Sequence, residues 1–295
     1  MKRPQPDMTT AEAYCASIPD WARAEISTTR ERFGLIMGVL ETFRPVVMAE
    51  IGVSAGILSG ALLHKASQYA ESPKLYGVDL GRTCYYDEDR PIGVGLREAR
   101  PELSPLFDLR LGKTAADLDG IVEGKLDFAY IDANHCHPWA SIDMLCLLPH
   151  MRDGGIIGLH DTNPARIDSH ANAAVYTFHS LNAEKFSDVE YDVLGSGFCV
   201  YRPDAAFLQS LLDSFLIPWE TDVPDAVLEA VIRTVDRLGG DAGRFGELVR
   251  FVRGNSPFLL DLEDRSKERV IARYENSTSW RATSWLRGLV RLCRR

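Results

Sequence analysis

Between Val46 and Asp161 five short apolar runs alternate with helical patterns, and each run carries a glycine or an acidic residue at its last or next-to-last position. The runs are VVMAEIG, KLYGVDL, LFDLRLG, LDFAYIDA and GGIIGLHD. A helix between consecutive strands must cover a sheet face, so this order predicts parallel pairing and a doubly wound α/β sheet. A further pair, VEYDVL and GFCVYRP, flanks Gly195–Gly197 and predicts an antiparallel hairpin at the end of the sheet. In open parallel sheets ligands bind beyond the carboxyl ends of the strands. Glu50, Gly52, Asp79, Asp132, His160 and Asp161 all fall at such ends.

The rest of the chain frames this sheet. Residues 1–19 read as a loose leader, and a helix is expected over Asp20–Phe43, with Ile26, Phe33, Ile36, Met37 and Leu40 at helical spacing and Pro45 ending it. After residue 203 the pattern is helical only. The expected organisation is a leader (1–19), a sheet domain (20–203), a helical extension (204–263) and a basic tail (264–295). At 45% hydrophobic content the chain has ample material for a core. No run of about 18 apolar residues spans a membrane. The start of the chain lacks the apolar stretch of a signal peptide. Six scattered cysteines without CxxC spacing predict reduced thiols and a cytoplasmic protein.

From Arg265 onward there are nine basic and two acidic residues, so the remainder holds −16 of the net −9. An acidic body argues against general nucleic-acid binding, which needs a basic face toward phosphates. The tail NSTSWRATSWLRGLVRLCRR predicts an amphipathic helix, with Trp285, Leu289, Leu292 and Cys293 opposite its arginines. Two roles stay open for it: peripheral contact with the inner face of an anionic membrane, or packing on the body or a partner chain. A homo-oligomer is compatible with the second.

The turn after the first strand, EIGVSAGILSGALL, has competing meanings. Gly52-x-Ser54-x-Gly56 spells a hydrolase nucleophile elbow, and Ser54, Asp132 and His160 follow the hydrolase order of nucleophile, acid and base. That elbow, however, follows several strands, whereas here one helix precedes it. Glycines at 52, 56 and 60 do not fit Gly-x-Gly-x-x-Gly, and no phosphate-binding Gly-Lys-Ser/Thr loop is present. A cofactor without phosphate fits better. Gly52 and Gly56 let the backbone approach a ligand, and Ser54 between them is expected to be part of the same cofactor cradle. The helix start near Ile57 offers N–H groups to a carboxylate. Glu50 can accept from an ammonium. Asp79, twenty-three residues after Gly56, can take ribose hydroxyls. Carboxylate, ammonium and ribose together describe S-adenosylmethionine.

Methyl transfer to oxygen requires the acceptor aligned and its proton removed. A divalent cation, Mg or Mn, can lower the hydroxyl's pKa, and Asp132 and Asp161 at adjacent strand ends are its expected ligands. A His160 ligand would favour a softer ion than Mg. His160 and His135, which stands three residues after Asp132, are alternatively the general base. Tyr85 and Tyr86 lie in a long segment that can act as a lid. His137 and Trp139 can line the acceptor pocket, and Asp143 reads as a solvent-facing helix position.

EIGVSAG, GVDL, YIDANHCH and GGIIGLHD, in this order, resemble the class I S-adenosylmethionine-dependent methyltransferases. The nearest likeness is to sugar and small-molecule O-methyltransferases of the macrolide-sugar and cephalosporin-pathway type, over residues 30–203. The resemblance implies a seven-stranded sheet whose last strand is antiparallel. It implies contact between Gly112–Thr114 and the adenine region, and a basic group acting on the acceptor hydroxyl at the position of His135. Metal-using relatives carry acidic or amide residues where this chain has His160 and Asp161. The tail spelling is similar to tails of bacterial surface-polysaccharide enzymes, which implies a saccharide acceptor. Alternatives are a phenolic or antibiotic-type acceptor, and a non-catalytic scaffold in a glycan-assembly complex.

Overall fold

In the computed structural model, which describes residues 3–25, 30–164, 172–187 and 195–256, four strand ends stand level. The strands are β1 (Val47–Ile51), β2 (Lys74–Asp79), β3 (Thr83–Cys84), β4 (Asp87–Pro91), β5 (Phe107–Leu111), β6 (Leu126–Ile131), β7 (Met151–His160), β8 (Lys185–Ser187) and β9 (Ser196–Val200). Seven of them form one sheet in the order β5-β2-β1-β6-β7-β9-β8. The pairs from β5 to β7 are parallel, and β9 runs antiparallel to both neighbours. Ile51 is level with Val78 and with Ile131, and Ile131 with Leu159. The next residue of each strand is Gly52, Asp79, Asp132 and His160, so the polar positions form one row along the sheet's carboxyl edge.

The helices follow from burial. Helices α1 (Met8–Ser17), α2 (Asp20–Glu25), α3 (Arg30–Phe43), α4 (Ile57–Ala66) and α5 (Val94–Ala99) precede β5. Helix α6 (Trp139–Leu147) links β6 to β7, and α7 (Ala173–Ser180) precedes β8. The chain closes with α8 (Ala205–Ser214), α9 (Asp225–Arg237) and α10 (Ala242–Asn255). The last three lie within 205–255, the described part of the expected helical extension. In α9, Leu228, Val231 and Val235 fall on one buried stripe while the acids and arginines face out. Helices α8 and α9 pack against α6. The Ser141 hydroxyl lies 2.7 Å from both Thr177 Oγ1 and Ser214 Oγ, tying α6 to α7 and α8.

Three expectations change. Residues 8–17, read as part of a loose leader, form α1 and pack on α3 and α4. Tyr14 is fully buried and its hydroxyl donates to the Ile57 carbonyl. Asp7 caps α1 through the Thr10 N–H and meets Lys65 Nζ at 3.0 Å, while the same ammonium lies 2.7 Å from Glu41. The helix expected across Asp20–Phe43 appears as α2 and α3, with 26–29 outside the described residues. The segment after β2 carries the β3–β4 hairpin, not an irregular excursion. The strand expected at 189–194 lies outside the described residues, and β8 at 185–187 is the partner of β9.

The chain divides after Ser256 into two units. The second, 257–295, lies outside the described residues, and so do the basic tail 264–295 and the end of the extension. Among the described residues no helix is long and apolar enough to cross a membrane.

If α1 is structural, Tyr14→Ala should cost about 3–5 kcal/mol in urea unfolding, and Tyr14→Phe only about 1 kcal/mol for the lost hydrogen bond. A loose leader would make both silent.

Candidate functional site

The turn after β1 is held in place by what surrounds it. Gly52 (φ 86°) sits so close to β6 that an added Cβ would lie 2.3 Å from the Asp132 carbonyl oxygen. No side chain fits there, so the turn is pressed against the neighbouring strand end. The Val53 and Ser54 N–H groups donate to Asp79 Oδ2 at 3.0 and 2.9 Å, and the Gly81 N–H donates to Oδ1 at 2.8 Å. Asp79 thus organises the glycine-rich turn, and its two oxygens still have acceptor capacity for a ligand hydroxyl. Gly56 takes φ 77° to begin α4, and an added Cβ would meet Gly93 Cα at 2.8 Å. Its close approach is therefore to the chain's own backbone, and it does not line the cavity described next.

A cavity of about 670 Å³ opens along the row of strand ends. Its walls take in Glu50, Gly52 and Ser54 from the β1 side, Asp79 from β2, and Lys113 and Thr114 after β5. Asp132 and His135 follow β6, and His160 and Asp161 end β7. With the exceptions of Gly56, Gly112 and His137, the residues singled out from the sequence for a site line this one space. Glu50 is buried and accepts from the Ser59 hydroxyl of α4. Tyr85 and Tyr86, edge to face at 5.1 Å, bring the β3–β4 hairpin into the wall.

At the β6 and β7 ends four side chains gather. Asp161 adopts φ 59°, a left-handed conformation that Asp tolerates better than most residues. Its Oδ2 lies 2.8 Å from His135 Nδ1, and its Oδ1 lies 3.3 Å from His160 Nδ1. Asp132 Oδ1 stands 3.1 Å from His160 Nδ1 and 3.9 Å from His135 Nε2. His160 is nearly buried, at 6% side-chain exposure, whereas His135 is 43% exposed toward the opening. The His135 loop is fixed by Asn134 Oδ1 accepting from the Cys136 N–H at 2.9 Å and by the His135 carbonyl accepting from the Ala173 N–H at 3.0 Å. An imidazole whose Nδ1 faces a carboxylate is protonated there, which leaves Nε2 as the basic atom.

Asp132, His160 and Asp161, the expected cation ligands, do not fit a metal site as they stand. Among the described residues no group of three or more His, Cys, Asp or Glu side chains is arranged to hold a metal ion. The Oδ1 atoms of both carboxylates converge instead on one imidazole nitrogen. The hydrolase geometry is also missing. Ser54 Oγ is buried without a hydrogen-bond partner among the described residues, so no histidine activates it.

Residues 49–162 match the family model described as a methyltransferase domain. The matched segment runs from within β1 through the end of β7 and holds the row of polar strand ends. The match spans under half of the chain. No curated protein matches it. Among solved structures, the O-methyltransferase TomG from Streptomyces achromogenes, involved in tomaymycin synthesis and crystallised with SAM, is similar at 14% identity. That likeness covers 65% of this chain and 88% of TomG, with a TM-score of 0.47. An O-methyltransferase from Bacillus cereus, in complex with SAH, is 14% identical over 66% of this chain and 91% of its own, with a TM-score of 0.45. The Podospora anserina methyltransferase PaMTH1, SAH-bound, is 12% identical over 68% and 89%, with a TM-score of 0.44.

Two positions differ from expectation. His137 does not line the cavity: it is wholly buried, its ring edge-on to Tyr176 at 5.3 Å, and burial pulls its pKa down to about 4. Asp143, expected to face solvent, is 4% exposed and lines the cavity, one helical turn beyond Trp139. That spacing of four was the available signal, since such residues share a helix face. Burial pushes the Asp143 carboxyl up to about 7. A carboxyl raised above its unfolded value makes the folded state bind the extra proton, so stability should fall as pH rises from about 4 to about 7 and then level off. Asp143→Asn should remove that decline, gaining on the order of 3 kcal/mol at pH 8 and almost nothing below pH 4, read from urea unfolding across pH.

Proposed function

We propose that the protein is an S-adenosylmethionine-dependent O-methyltransferase that methylates a hydroxyl of a sugar or glycan intermediate. One observation carries this: a single cavity joins the Asp79-anchored turn after β1 to the His135–Asp161–His160–Asp132 cluster. The turn and Glu50 suit the amino-acid end of the cofactor, and Asp79 suits its ribose. The bound cofactor supplies an electrophilic methyl group. The chain supplies the base: His135 Nε2 takes the acceptor proton while Asp161 orients the ring and stabilises the imidazolium. Buried His160 lies beside both carboxylates, at 3.1 and 3.3 Å, without a hydrogen bond to either. No step runs through the divalent cation expected from the sequence, because the described residues form no group arranged to hold one.

The saccharide acceptor, a role in polysaccharide assembly and the membrane contact rest on the tail sequence, and the cytoplasmic placement on the scattered cysteines. Phe33, Tyr85, Tyr86 and Trp139 in the cavity wall favour a second acceptor class, a flat phenolic or antibiotic-type molecule. A panel of sugar and phenol acceptors separates the two by turnover.

Calorimetry should detect S-adenosylhomocysteine binding that Asp79→Ala weakens by at least about tenfold. Should the wild type give no heat, the cofactor assignment is wrong. His135→Ala should lower kcat by about 10²–10⁴ with little change in KM, as expected for loss of a general base. Ser54→Ala should leave most activity, whereas a hydrolase would lose all of it. Turnover should persist after exhaustive EDTA treatment; its abolition, restored by Mg or Mn, would reinstate the cation.

A further inference from the structure

The mechanism above leaves one cavity group without a task. The Asp143 carboxyl has no hydrogen-bond or charge partner among the described residues, although it is 4% exposed and reaches the cavity wall. The Cys146 thiol, one turn further on, offers no compensation, since burial pushes it up to about 12. Buried polar groups are nearly always paired, and an unpaired one costs about 1–3 kcal/mol. A carboxyl kept at that cost in the wall of a ligand cavity is a group whose partner arrives with the ligand.

The fold indicates which part of the ligand. Along the carboxyl edge the order β5-β2-β1-β6-β7 places Thr114, Asp79, Gly52, Asp132 and His160 in succession. With the ribose at Asp79, the amino-acid end at the β1 turn and the methyl toward the histidines, the base occupies the space bounded by Lys113 and Thr114. The short 3₁₀ turn Ala115–Gly120 follows directly and packs on α6, the helix that carries Asp143. This packing sets the α6 wall of the cavity, which carries Asp143, beside the base end.

We propose that Asp143 is a specificity-determining residue that reads the amino-bearing edge of the cofactor's adenine; this rests on the cofactor assigned under Proposed function. Adenine presents an N–H donor beside a ring-nitrogen acceptor. A protonated carboxyl presents the complementary acceptor and donor, as the amides of Asn and Gln do when they pair with adenine. Burial that keeps this carboxyl protonated toward neutral pH supports the role.

Calorimetry on the full chain tests it with S-adenosylhomocysteine and its N6,N6-dimethyl analogue, whose edge offers no donor and blocks the approach of the carboxyl. The wild type should prefer the unmethylated compound by at least about tenfold. Asp143→Ala should lose that preference by weakening the unmethylated compound, and Asp143→Asn should retain most of it. The melting temperature of both variants should equal or exceed wild type, which a merely structural acid would not allow. Three results overturn the proposal: an Ala variant with wild-type preference, an equal loss for both compounds, or unchanged cofactor affinity with a raised acceptor KM. If the wild type binds neither compound, the cofactor assignment itself fails and this inference falls with it.

Discussion

The contact between Gly52 and the Asp132 carbonyl governs the rest of the site. Two strand ends can stand this close only if one lacks a side chain, and the closeness places a cofactor turn beside a cluster that can accept a proton. Parallel register does the remaining alignment. Because Ile51, Val78 and Ile131 are level, the first residue past each strand enters the same space without a long loop. Asp79 then fixes the turn through two backbone N–H groups, so the cradle exists before a ligand arrives. Preorganisation of this kind removes an ordering cost from binding.

The histidine–aspartate cluster divides its labour by depth. His160 is sealed at the end of β7, where it meets both carboxylates; His135 stands on a loop with open access. A base must reach its substrate, so the proposed proton transfer falls to His135, the more exposed of the two rings. Asp161 joins them, and its left-handed backbone turns one carboxylate oxygen to each ring.

Much of this was legible in the sequence, for a physical reason. Buried parallel strands are continuous apolar runs, and the glycines and acids that close them are forced by turn geometry and by ligand chemistry; both leave marks in the residue order. Helix α1 left none. In MTTAEAYCAS only Ala11 and Tyr14 are buried, and the anchoring comes from a phenol hydroxyl and from Asp7 reaching Lys65, fifty-eight residues away. Asp143 was hidden by an opposite effect. An acid on a helix normally marks the solvent face, but α6 is covered by α8 and α9 as well as by the sheet, and all of its residues from Ala140 to Leu147 are buried. Once a helix has no wet face, periodicity no longer tells polar positions apart.

The hydroxyl cluster of Ser141, Thr177 and Ser214 has a consequence for how such enzymes diversify. It couples α6, which forms one wall of the cavity, to α7 and α8, both beyond the segment 49–162 that matches the family model. The cofactor cradle and the histidine cluster are complete within or next to that segment, but the wall bearing Trp139 and Asp143 is braced from outside it. Sequence drift in the C-terminal helices can therefore reshape what the pocket admits while the row of strand ends stays untouched.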